Sequence, residues 1–166
     1  KGQVVEEEPD PTLRLSVSAY IPEDYVADSH QRLSLYKRLS SCGQLGDLAL
    51  MHGEIEDRYG HPPDPVERLF ELMQIRLLAK QLRLSSVVEQ PHAVVITFDP
   101  KATVSETAVQ ALMDRYKKRL RFLSPLSFEL QIPHEDWSLV FPELNATLQT
   151  LYVCGTNNQG PHTASP

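Results

Sequence analysis

DPVERLFELMQIRLLAKQL, residues 64 to 82, decides the fold. Asp64 offers an acceptor at a helix N-cap, Pro65 fits the first helical position, where a missing N–H costs nothing, and Glu67 stands where it can close a capping box. Behind that start, Val66, Leu69, Phe70, Met73 and Leu77 form one apolar stripe at helical spacing, and Leu72, Ile75, Ala79 and Leu82 form a second. A helix over about 65–83 with two apolar faces belongs at the centre of a domain.

Toward the N-terminus, Leu45, Leu48, His52, Ile55 and Tyr59 step by three or four and predict a helix closed by Gly60, a residue suited to a left-handed turn. Gly53 inside it costs about 1 kcal/mol against alanine and wants a packing reason or tolerance elsewhere. Asp28 and Gln31 resemble a capping box for a preceding helix, in which Leu33, Tyr36 and Leu39 recur up to Ser41. Before it, Leu13, Leu15, Val17 and Ala19 alternate with polar residues, the period of a half-buried strand over 13–19.

Beyond the central helix the period changes to two. Val94, Ile96 and Phe98 face away from Val95 and Thr97, and Leu126, Phe128, Leu130 and Ile132 alternate with Ser127, Glu129 and Gln131, so both stretches read as strands, the first pairing with 85–89. Between them Thr103 and Glu106 predict a capped helix to about Tyr116. A last helix over 137–153 carries Trp137, Val140, Phe141, Leu144, Leu148 and Leu151, with Pro142 set to kink it or to mark its true start. The expected architecture is α+β: an N-terminal strand, a run of three helices, then a small, mostly antiparallel sheet with two further helices.

The chain of 166 residues is 41% apolar and 23% charged, enough for one sizeable core, so a single domain over 13–155 is expected, with an acidic segment before it and a polar tail over 156–166. Sixteen basic against twenty-two acidic residues leave a formal charge of −6, which argues against a general grip on nucleic acid. Cys42 and Cys154 have no ligand-like spacing, and neither a secretory leader nor a long apolar run is present, so the expected home is the cytoplasm. No glycine begins a GxxxxGK loop, and GxSxG and HExxH are absent, so no catalytic residue and no metal or cofactor site can be named. The six histidines read as solvated or packing residues, and His134, Glu135 and Asp136 as the acidic start of the last helix.

Two charge clusters remain. Arg115, Lys117, Lys118, Arg119 and Arg121 crowd a predicted helix end, where cations are favoured, and offer a secondary contact for phosphate or an acidic partner. Glu54, Glu56, Asp57 and Arg58 occupy the last turns of the second helix, where carboxylates oppose the helix dipole; an unfavourable local placement points to a partner.

At that second cluster the sequence resembles a known family. SAYIPEDYVAD (18–28), RLSLYKRL (32–39), GEIEDRYGHPPDPVERLFEL (53–72) and RLLAKQL (76–82) are similar, in order and spacing, to the C-terminal domain of the bacterial transcription-repair coupling factors, the Mfd family. Ala27 stands where that family often has proline, and His52 and Gly53 replace helix-favouring residues. The resemblance implies a parent protein that is a cytoplasmic, ATP-dependent DNA translocase acting on stalled RNA polymerase and recruiting UvrA, with its ATP and Mg site upstream of this chain. It makes residues 1–12 a linker from the translocase module. It also implies a non-catalytic, autoinhibitory domain that docks on the N-terminal UvrB-like module of the same chain, masks the UvrA surface and restrains the motor. The family's docking motif falls here on Glu54, Asp57 and Arg58, with Tyr59 as packing aromatic and Gly60 as helix stop. A nucleic-acid or protein contact through the 115–121 cluster is the alternative, and a cryptic hydrolase the least supported reading, since no nucleophile and base can be paired.

Overall fold

The computed structural model describes residues 10–133 and 135–156. The chain divides into two compact units, residues 16–77 and residues 1–15 together with 78–166.

The first unit is helical. Helix α1 (Ser29–Ser41) starts at Asp28, whose carboxylate accepts the Gln31 N–H at 2.9 Å. Gln31 does not complete the predicted box, because its side-chain carbonyl accepts from the Tyr59 hydroxyl instead. Helix α2 (Leu45–Tyr59) is entered through Asp47, whose carboxylate accepts from the N–H groups of Gly43 and Gln44. Gly60 closes it at φ +87, ψ −175, a positive-φ conformation open essentially to glycine and more extended than the expected left-handed turn. Helix α3 (Asp64–Gln81) begins one residue early: the Pro63 carbonyl accepts the first two helical bonds, from Val66 and Glu67. Glu67 is consequently free of capping duty and meets His52 Nε2 at 3.0 Å, while the His52 ring sits edge-on to Phe70, the packing role expected for a histidine. Leu35, Leu39, Leu48, Met51, Ile55, Val66, Leu69 and Phe70 form the core of this unit together with Ile21 and Val26.

In the second unit, five strands lie in the order β1-β2-β3-β5-β4. Strand β1 (Thr12–Arg14) is three residues long, against the seven expected at 13–19. It runs parallel to β2 (Leu84–Gln90), Thr12 opposite Ser86 and Arg14 opposite Val88, and β2 soon turns at Pro91 and His92; in 15–19 the alternation shows as half-buried and exposed residues that lie outside the strand. Strand β3 (Ala93–Phe98) pairs antiparallel with β2, as expected.

Helix α4 (Glu106–Tyr116) is capped by Ser105 rather than Thr103, since Ser105 is the hydroxyl three residues before the Ala108 N–H. A 3₁₀ turn (Lys117–Arg119) leads into β4 (Leu120–Ser124), a strand absent from the sequence reading, and β5 (Ser127–Gln131) lies between β4 and β3. Helix α5 (Trp137–Thr156) runs through Pro142 and starts at Asp136, whose carboxylate accepts from the Ser138 N–H and whose carbonyl accepts from Val140. Among the described residues only the β1–β2 pair is parallel, so the sheet is mostly antiparallel and the α+β expectation holds.

Candidate functional site

Helix α2 turns one face into the first core through Leu48, Met51 and Ile55, and the opposite face is open. On the open face Ala49, Leu50, Gly53, Glu54, Asp57 and Arg58 surround a shallow depression. Leu50 is 77% exposed, the largest exposure of any large apolar residue among those described. Gly53 lies among them: a Cβ placed there meets nothing within 4 Å, so its glycine answers no packing demand inside this chain.

The three predicted docking residues are brought together, but in different states. Glu54 is gripped by Arg38 of α1 through two bonds, Nη1 to Oε1 at 2.8 Å and Nη2 to Oε2 at 2.5 Å, with both side chains about half exposed. This hydrogen-bonded guanidinium holds the Glu54 carboxyl below its ordinary range, and Arg58 one turn on adds a smaller effect of the same sign. Asp57 is exposed and has no ion-pair or hydrogen-bond partner among the described residues. Arg58 is exposed, its guanidinium 5.4 Å from the centre of the Tyr59 ring. The unfavourable acidic helix end is therefore partly relieved at Glu54 and, through His61 Nδ1 at 3.4 Å, at Glu56, but not at Asp57.

The helix end that presents these groups is tied down. The Tyr59 hydroxyl donates to Gln31 and the Tyr25 hydroxyl donates to the Gly60 carbonyl at 2.7 Å, with the two rings 5.9 Å apart. Burial, with the nearby Glu56 charge, pushes the Tyr25 phenol up, keeping it a donor. Arg38 and Leu50 were missed by sequence reasoning. Leu50 lies off the apolar stripe of α2, a signal that was available; the Arg38–Glu54 pair spans two helices and follows only from their packing.

The basic cluster is dispersed. Arg115 closes α4 with its guanidinium over Tyr116, Lys117 and Lys118 are exposed on the 3₁₀ turn, and Arg121 lies in β4, 3.3 Å from Glu129. Arg119 is engaged within the fold's surface: it donates to the Glu143 carboxylate at 2.6 Å and to the Gln131 carbonyl at 3.0 Å, and covers the Tyr116 ring. The expected helix end thus ends at Tyr116, and Arg119 is a brace between a strand and α5. Among the described residues no three His, Cys, Asp or Glu side chains are placed to hold a metal ion, and no helix is long and apolar enough to cross a membrane.

A model of the TRCF domain matches residues 15–109, more than half of the chain and the whole of α2. This chain belongs to the TRCF domain family. The transcription-repair-coupling factor of Myxococcus xanthus is 32% identical over 133 residues, 80% of this chain and 11% of that protein. Those of Haemophilus influenzae, at 30% over 117 residues, and Mycobacterium bovis, at 35% over 97, are similar over 10% and 8% of their lengths. This TRCF chain spans about a tenth of the length of the curated relatives it matches. Its fold is that of a solved C-terminal domain of transcription-repair coupling factor, with a TM-score of 0.72 over 91% of this chain and 97% of that one at 15% identity.

Proposed function

We propose that this TRCF domain is a non-catalytic, autoinhibitory module that docks through the open face of α2 on the N-terminal UvrB-like module of its parent protein. Docking masks the surface that UvrA uses and restrains an ATP-driven DNA translocase until RNA polymerase is engaged. ATP and Mg belong to the upstream motor, and the whole protein works in the cytoplasm.

The observation that carries this reading is Leu50, exposed in the middle of charged residues that the sequence had already marked. Moving a docked switch from 99:1 closed to 1:99 takes about 5.5 kcal/mol of differential binding. Exposed ion pairs are generally too weak to account for that, so an apolar contact is needed. Burying the exposed part of Leu50 contributes roughly 1–2 kcal/mol. With Gly53 beside it, a partner backbone can approach α2 closely, and docking within one chain gains from an effective concentration that reaches about the mM range. Arg38 preorients Glu54 as an acceptor, and Asp57 and Arg58 remain available to a basic and an acidic partner group.

The test is titration of this chain against the separately expressed UvrB-like module. Asp57→Lys and Leu50→Ala are the informative variants, because Glu54→Lys would also set two cations together at Arg38. Each is expected to weaken binding by about tenfold, the equivalent of ~1.4 kcal/mol, with unchanged thermal stability. Undiminished affinity in both variants would remove the α2 face from the mechanism. The nucleic-acid alternative is weakened because Arg119 is already engaged by Glu143 and Gln131.

A further inference from the structure

The far edge of the sheet carries features that α2 docking leaves unused. Strand β4 stands at the end of the strand order and pairs only with β5, so one side of its backbone has no strand neighbour among the described residues. Edge strands are ordinarily protected by charge, shortness or bulges, and β4 does have a register shift between Phe122 and Ser124. Yet Phe122 and Leu123 are 46% and 48% exposed. Phe122 forms a wall of an apolar cavity of about 400 Å³ beneath the β4–β5 turn, together with Phe98, Val109, Leu112 and Phe128. Phe128 stands directly across the ladder from Phe122, the ring centres 6.2 Å apart.

The neighbouring position points the other way. Arg121 lies opposite Glu129 on the other face of the sheet and is two-thirds exposed, and Lys117 and Lys118 precede the strand without an ion-pair partner among the described residues. Of the five basic residues between 115 and 121, Arg119 is held by Glu143 and Arg121 is only partly offset by Glu129, so the positive charge at this edge comes from Lys117, Lys118 and the exposed part of Arg121. This end of the sheet is therefore a cationic edge next to an apolar cavity.

We propose that the β4 edge is a docking site for an extended acidic segment of another protein, which adds to the sheet as a sixth strand. Main-chain hydrogen bonds to β4 hold the segment, and its side chains alternate between the two faces. Residues of one parity carry an apolar side chain to the Phe122 cavity, and those of the other parity carry carboxylates toward Arg121, Lys117 and Lys118. The site therefore selects an alternating acidic and apolar sequence over a segment of the same composition in blocks. A phosphate backbone satisfies the cations but has nothing for the cavity. This inference is independent of the α2 face.

The test uses the 166-residue chain and a fluorescently labelled peptide, Glu-Val-Glu-Phe-Glu-Val-Glu-Val, with a control in which the four glutamates are contiguous. Saturable binding is expected to fall at least tenfold for the control peptide and about tenfold for Phe122→Ala and for Lys118→Glu/Arg121→Glu. Amide exchange in Leu120–Ser124 should slow when the alternating peptide binds to the unaltered chain, a readout that needs no variant to fold. Equal affinity for the two peptides, or unchanged exchange along β4, overturns the proposal. So does tighter binding of oligothymidylate than of the peptide at 150 mM salt, which would make the edge a nucleic-acid contact.

Discussion

Replacing Gly53 by alanine should stabilise the helical unit. Gly53 lies in the interior of α2, and nothing lies within 4 Å of a Cβ added there. The substitution therefore removes conformational freedom from the unfolded chain and introduces no clash, for a gain of about 0.5–1 kcal/mol. At the usual proportionality that raises the melting temperature by roughly 2–4 °C per kcal/mol in a chain of this size. Far-UV circular dichroism is the appropriate signal: α1, α2 and most of α3 lie in residues 16–77, whereas Trp137, the single tryptophan, lies in the other unit. Gly60→Ala at the C-terminal cap of the same helix has the opposite sign. Its φ of +87 with an extended ψ is strained for any side chain, and the change should cost about 1–3 kcal/mol. Loss of stability in Gly53→Ala would refute the reasoning, because it would mean that the open face of α2 is covered within this chain. If the stabilised variant also binds the UvrB-like module more weakly, the glycine is retained for the partner's approach.

Arg119→Ala should destabilise the sheet unit by about 1–2 kcal/mol in urea denaturation, through loss of the Glu143 and Gln131 bonds, and should leave acidic-peptide affinity nearly unchanged. Thr147 is completely buried, its hydroxyl 2.8 Å from the Glu143 carbonyl and 2.9 Å from the Tyr116 hydroxyl; Thr147→Val should cost about 1–2 kcal/mol, and only part of that loss should be absent in a Tyr116→Phe background, because the bond to the Glu143 carbonyl is still lost there. Glu54 titrates below the ordinary glutamate value of 4.5 because Arg38 bonds to its ionised form, so the stability it contributes is present above the unfolded-state pKa and is lost as pH falls through the depressed one. In Arg38→Gln, an NMR titration should show the Glu54 carboxyl returning upward toward 4.5.

The helices were legible because their signals are local. Asp28 caps α1 and Gly60 stops α2 where the residue types say they should. The two stripes of α3 were legible too, with Val66 of one and Ile75 and Ala79 of the other buried, whereas the equally buried Leu78 belongs to neither. The misreadings came where a residue had two uses. Glu67 was suited to a capping box and serves His52; Gln31 was suited to the same motif and serves Tyr59. Strand β4 went unread because LRFLS is only five residues long and follows directly on the basic run that reads as a helix end. Arg119 looked like its basic neighbours, and only the fold that brings Glu143 and Gln131 to it makes it a structural brace. On α2 the motif residues were visible in sequence, but that Glu54 is already held while Asp57 is not depends on Arg38, sixteen positions away.

Strand β1 has a consequence out of proportion to its three residues. It pairs with β2, and everything from Ser16 to Leu77 hangs between those two neighbours, so the β1–β2 ladder acts on the helical unit as a non-covalent crosslink. While the ladder holds, an unfolded helical unit is a closed loop rather than a free chain, and closure removes chain entropy on the order of 3–4 kcal/mol. Opening the ladder at Thr12–Arg14 returns that freedom, so the helical unit becomes easier to unfold without any of its own contacts changing. A partner that tugs on the chain ahead of Thr12 would thereby loosen the helices that present Leu50.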